Sequence, residues 1–437
     1  MSQYIENIVN EKISQIQADK NQYKLGYVSR VESFVIEVKG LQDAAFYEEV
    51  EIGNKATGYV TAIRTDSVMV ALVRIKEPVL IKDEVKACGR IFKARFSPQS
   101  VGHVFDIFGQ DKISSEFFDD CIDVDIERPN IPIMDRGPVK RPFLTGIAGI
   151  DLIYPVGKGQ RQLIIGDKKT GKTQILLDAI VNQKGKDVLC LYIAIGKTKK
   201  EIKEIYFELL KRNAMEYTMI LTASNDETAP VLSLTPYAGL AIAQEYMMRG
   251  FDVFVGIDDL KRHADAYREM SLLMGKVPGR DAYPPDIFYT HSRLLEKGCQ
   301  HINGGSVTIL PVTETKAGDI TDYISTNIIS ITDGQLVLSR KSFEKGEKPA
   351  IDYGLSVSRL GGAVQEPNMK KAGAKIRREL LSYLETREVY ELANFDELSP
   401  ELQKSLSHGK ELLGKFNQYK FDGIAPEQIL ERFNIEQ

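Results

Sequence analysis

Residues 166–173 read Gly-Asp-Lys-Lys-Thr-Gly-Lys-Thr, and no other stretch limits the fold of this chain as tightly. The apolar run Gln162-Leu163-Ile164-Ile165 leads into it, and the amphipathic run TQILLDAIVNQ leads out. The spacing is that of a phosphate-binding loop, GxxxxGK[ST], set between a strand and a helix. Glycines at Gly166 and Gly171 allow the backbone N–H groups of Asp167, Lys168, Lys169 and Thr170 to approach phosphate oxygens. The helix that follows adds the positive end of its dipole. Lys172 is expected to reach the β- and γ-phosphates of a nucleotide, and the Thr173 hydroxyl to ligate Mg²⁺.

Such a loop needs a parallel sheet around it, and the neighbouring sequence predicts one. The strand-like runs QLIIG, DVLCLYIAIG, YTMILTAS, DVFVGIDD, SVTILPV and NIISITDG alternate with helical segments such as KKEIKEIYFELLKR. Strands alternating with helices imply βαβ units. Asp258 closes the apolar run of DVFVGIDD, at the sheet edge where ligands bind, and is the expected second contributor to the Mg²⁺ shell, usually through water.

The flanks read differently. From about residue 24 to 93 short strands follow one another, separated by Gly, Asn and Asp, which predicts a small β-barrel. The Pro-rich passage 128–142 predicts an extended connector. Beyond about 370 the pattern is helical only. The expected division is 1–93, N-terminal helix and barrel; 94–368, nucleotide-binding domain; and 369–437, a short α-helical domain. In the N-terminal twenty residues, Ile5, Ile8, Val9, Ile13 and Ile16 recur at helical spacing, which predicts a docking helix.

Composition excludes several classes. The chain has 57 basic and 61 acidic residues, a net charge of −4, which argues against wholesale binding to nucleic acid. Cys88, Cys121, Cys190 and Cys299 form no CxxC pair, so no zinc or disulfide framework is expected and reduced thiols in the cytoplasm are. No apolar run approaches the ~18 residues that a membrane span requires.

Three further passages carry a resemblance. These are ADAYREMSLLMGKVPGRDAYPPDIFYTHSRLLEK at 264–297, ETKAGDITDYISTNIISITDGQ at 314–335, and PAIDYGLSVS at 349–358. With the charged loop GDKKTGKT they resemble the α/β superfamily of rotary ATPases, and within it the α subunit of the F1 type, over about residues 10–430. Ser325 stands where that family usually has Pro.

The resemblance implies a multidomain fold: an N-terminal small β-barrel, a central RecA-like α/β domain with a mainly parallel sheet, and a C-terminal helical domain. It implies a ring in which this chain alternates with three catalytic β-type chains around a γ-type rotor shaft, the barrels forming a crown. It implies ATP or ADP and Mg²⁺ as ligands, no nucleic acid, and stalk or membrane subunits contacted through the N-terminal helix. The location implied is cytoplasmic and peripheral, at the inner face of the cell membrane.

Residue roles follow from the same likeness. Arg359 matches the arginine finger that reaches across the interface to the γ-phosphate held by the β chain, a task suited to a planar, permanently charged guanidinium. Lys348, Pro349, Phe416 and Gln418 fall where the family holds adenine, with Phe416 in the place of a glutamine. The catalytic β chain has a glutamate after the strand that follows the P-loop helix. Here that residue is Lys197, which is no general base while charged, so this chain is expected to bind nucleotide and to turn it over poorly. Glu201, one helical turn on, substitutes only if its loop rearranges. The loop 277–286 resembles the sleeve near the rotor. The short C-terminal region also suits a specialised motor of a wall-less bacterium, driving gliding motility or surface-protein handling. A Rho-like hexameric RNA translocase would need a basic, aromatic RNA surface, and a secretion or flagellar ATPase would need the glutamate.

Overall fold

The structure, a computed structural model, describes residues 25–390 and 399–435. The expected docking helix lies outside these residues. Where the sequence predicts short strands, six of them, Leu25–Glu32, Val35–Lys39, Glu48–Ile52, Ala56–Ile63, Val68–Ile75 and Glu84–Ile91, close into an antiparallel barrel. Alternation builds it: along Glu48–Ile52 every second side chain is buried, turning Val50 and Ile52 inward.

The central sheet runs in the order Val357–Ser358, Gly334–Leu338, Leu163–Gly166, Ser306–Glu314, Asp252–Asp258, Val188–Lys197, Thr218–Ser224, Val104–Phe105. Neighbours along it are parallel except the edge strand Val357–Ser358, which is antiparallel. Helices on both faces explain the unbroken apolar runs: every residue of Thr218–Ser224 is buried. The helix Ala229–Met248 is apolar nearly all round because it is enclosed, and at its N-terminus the Thr228 hydroxyl donates to the Leu72 carbonyl of the barrel at 3.3 Å.

One expected strand is a helix. NIISITDG does not extend; residues Tyr323–Ile331 coil, and the strand begins only at Gly334. Asp322 caps the helix by accepting the Ser325 N–H at 2.6 Å, and Ile324 and Ile328 bury one above the other at i and i+4. A short β-branched run fits either period, and the cap with the i, i+4 burial decided it.

The C-terminal helix Pro367–Val389 packs against the turn Gly149–Ile153 and the helix Pro400–Gly414 packs on it in turn, while Leu412 and Leu413 of the latter and Ile429 of the helix Pro426–Arg432 join the same buried core. Gly373 is needed there, since a Cβ would fall 2.4 Å from the Leu152 carbonyl oxygen. Among the described residues no helix is long and apolar enough to cross a membrane.

Candidate nucleotide-binding site

The strand Leu163–Gly166 pairs in parallel with Ser306–Glu314 on one side and Gly334–Leu338 on the other, so the loop leaves the sheet at its C-terminal edge. Gly171 caps the helix Lys172–Val181 at φ 101°, a left-handed conformation that glycine adopts without Cβ strain. The Asp167 carboxylate fastens the loop from beneath, its Oδ1 accepting the Thr315 hydroxyl at 2.6 Å and the Gly318 N–H at 2.8 Å. The Lys172 ammonium donates to the carbonyls of Gly166 at 2.8 Å and Asp167 at 2.5 Å. Burial holds its pKa below the usual lysine value.

Beside the loop lies a corner of oxygen donors. Asp258 is nearly inaccessible, and its Oδ2 accepts the Thr173 hydroxyl at 2.6 Å and the buried Tyr192 hydroxyl at 2.7 Å. Lys197 Nζ stands 3.0 Å from the same oxygen. A hydroxyl and a carboxylate converging on one point are the hard donors Mg²⁺ prefers, so the residues fit such an ion completed by water and phosphate. Among the described residues no group of three or more His, Cys, Asp or Glu could hold a metal without a ligand's help.

Glu201 is committed elsewhere. Its carboxylate accepts the Thr198 N–H at 2.8 Å and the Thr198 hydroxyl at 2.7 Å, closing a capping box on the helix Lys199–Leu210. Those bonds hold its pKa below the usual carboxylate range. In this structure the carboxylate stays within that cap.

A cavity of about 640 Å³ runs from the phosphate loop to the C-terminal domain. Lys169, Lys172 and Thr173 line one end; Phe343, Pro349 and Tyr419 line the other. Gln418 lines it too, but its amide is a strut: Oε1 accepts the Ala148 N–H at 2.7 Å, and Nε2 donates to the Gly146 carbonyl at 2.9 Å. Lys348 borders the cavity with Nζ 5.2 Å from the Phe343 ring centroid. Phe416 is placed differently from expectation. It is only 2% exposed and packs on Tyr353 and Phe433 in the core beneath, outside the cavity lining.

Arg359 sits at the opposite edge of the sheet. Its N–H donates to the Asp333 carbonyl at 2.9 Å, just before Gly334, whereas Gly166 pairs with Leu338 at the far end of that strand. Four residues of strand put roughly 13 Å between the two levels. The Arg359 side chain is exposed and, with Arg136 and Arg161, borders a separate hollow of about 340 Å³. Ile133 and Met134, 83% and 85% exposed, lie in the connector just before Arg136.

A family model for the ATP synthase alpha/beta family, nucleotide-binding domain, matches residues 146–358. The ATP synthase subunit alpha of Clostridium acetobutylicum is 40% identical over 430 residues, 97% of this chain and 84% of that one. The subunit alpha of Caldanaerobacter subterraneus is 40% identical over 436 residues, 99% of this chain and 86% of that one. That of Clostridium botulinum is 38% identical over 430 residues, with 97% and 84% covered. The chain belongs to the ATP synthase alpha/beta family. Within the family its likeness is to alpha subunits, and it extends through the barrel and the C-terminal helices.

Several residues that shape this alpha-type site escape a motif search. Tyr192 is one; a phenol inside the aliphatic strand VLCLYIAIG must find a partner once buried, which was the available signal. Tyr419 and Phe343, which line the same end of the cavity, have no spacing that marks them. The loop 277–286 is compact, its Gly279 N–H donating to the Tyr283 carbonyl at 2.7 Å, and Val277 is 80% exposed at its start.

Proposed function

We propose that this chain is the nucleotide-holding, non-catalytic alpha subunit of an F1-type rotary ATPase, one of three that alternate with catalytic beta subunits around a gamma-type shaft. The observation that carries the reading is Lys197. Hydrolysis needs a group that orients or deprotonates the attacking water. At that point of the fold the chain has an ammonium 3.0 Å from Asp258, and Glu201, the carboxylate one helical turn on, is held in its own helix cap.

The residues divide the work as follows. The backbone of residues 166–171 and the Lys172 ammonium bind the phosphates. Thr173 and Asp258 would hold Mg²⁺, which supplies neutralisation of phosphate charge when bound. Phe343, Pro349 and Tyr419 present an apolar wall for the base, and Gln418 keeps the C-terminal domain against the loop at Gly146. Arg359 faces away from this pocket and serves the site of a neighbouring beta chain as its arginine finger. The loop 277–286 borders the shaft, and the assembly lies at the inner face of the cell membrane.

The test is the purified full chain, alone and mixed with its beta partner. Alone it retains ATP but releases almost no phosphate, and mixing restores turnover. Robust hydrolysis by the chain alone would overturn the assignment, and stimulation by RNA would favour a translocase instead.

A further inference from the structure

Lys197 does more than vacate the position of a base. The strand Val188–Lys197 pairs regularly with Thr218–Ser224 until the register slips between Ile195 and Lys197. Gly196, at φ 65°, supplies that break. Such bulges re-aim a side chain beside an active site. Here the Lys197 side chain is 16% exposed and its ammonium lies 3.0 Å from Asp258 Oδ2. That oxygen also accepts the hydroxyl of Thr173, the residue that follows Lys172 in the phosphate loop. A fixed cation therefore shares the carboxylate that a divalent ion would use.

We propose that Lys197 is a built-in counter-cation of this nucleotide site, which consequently holds the free, metal-less triphosphate almost as tightly as its Mg²⁺ complex. The proposal rests on the nucleotide-site reading above and adds a ligand form to it. Two kinds of positive charge can neutralise a triphosphate at this corner, a divalent ion or an ammonium, and the local charge logic must include whichever is present. With Lys197 beside Asp258 the carboxylate is already paired, so a divalent ion gains less there. Lys172 and Lys197 then flank the phosphates from the loop side and the sheet side.

The experiment titrates the full-length chain with the fluorescent probe mant-ATP, in Mg²⁺ and in excess EDTA. The native chain loses less than about threefold in affinity on metal removal; Lys197→Gln loses about tenfold or more, and Lys197→Arg behaves as native. A native loss beyond about threefold, or a Lys197→Gln variant as indifferent to EDTA as the native chain, overturns the proposal. Lys172→Ala is the control for the underlying reading. If it binds as tightly as the native chain in both buffers, the nucleotide site itself is misplaced, a failure distinct from a native chain that binds only with Mg²⁺.

Discussion

Lys172 spends its three ammonium donors on very little of its own chain: two loop carbonyls hold it, and the cavity lies in front. Truncation to Ala leaves those carbonyls able to find water, so stability should fall little. Nucleotide affinity should drop by roughly 2–3 kcal/mol, the range of a charge-assisted bond, which calorimetric titration would show. A second residue-scale prediction concerns His263 and His291. They are fully buried, with Nδ1 of one 3.2 Å from Nε2 of the other. Burial pushes His263 down to about 4 and His291 well below its usual value. The unfolded chain therefore binds more protons than the native one below about 6.5, so the stability these rings contribute is complete above that pH. It is lost as pH falls toward 4, at roughly 1.4 kcal/mol per pH unit for each ring. Thermal melts from pH 7 to 4.5 should show the decline, and His291→Gln should make it shallower. At this scale the phosphate loop and the strand-end Asp258 were legible, because each is set by neighbours adjacent in sequence. The base end of the cavity was not. Whether Phe416 or Tyr419 faces it depends on how a C-terminal loop turns, and the two residues between them carry no period. The role of Glu201 was written in Thr198-x-x-Glu201, a capping-box spacing, and outweighs its nearness to the phosphates.

Among elements, the five-residue turn Gly149–Ile153 joins the cavity floor to the helical domain. Asp151 within it is fully buried and receives the Thr145 N–H at 2.9 Å, the Thr145 hydroxyl at 2.7 Å and the Gly146 N–H at 2.8 Å. Gly146 in turn takes the Gln418 amide. Asp151→Ala would strand three buried donors, so a loss of about 3 kcal/mol or more in denaturant unfolding is expected, with weakened ATP binding. Gly373→Val should separate the helix Pro367–Val389 from this turn, lowering the melting temperature by several degrees, since its side chain meets backbone rather than a movable group. The order of barrel, parallel sheet and helices could be read from hydrophobic period alone. The helix Tyr323–Ile331 could not, because its burial is set by the sheet it packs on rather than by its β-branched composition.

For the whole molecule the predicted consequence is interdependence. Arg359→Ala should leave ATP binding by this chain unchanged, as the residue lies roughly 13 Å down the sheet from the loop. It should lower turnover of the mixed assembly by about a thousandfold or more, the range of an arginine finger. Phosphate release by the reconstituted ring measures the second effect and equilibrium dialysis the first; an unchanged rate would remove Arg359 from the reaction.

The placement of pocket and guanidinium on opposite rims of one sheet also gives the chain a direction. Each copy would receive on one flank and donate on the other, so contacts around a circle must run head to tail, never face to face. A circle made only of this polypeptide would have a donated arginine at every joint and nothing to activate water at any of them. Hydrolytic competence would then belong to alternation itself, as a property of pairing unlike neighbours in a fixed rotational sense.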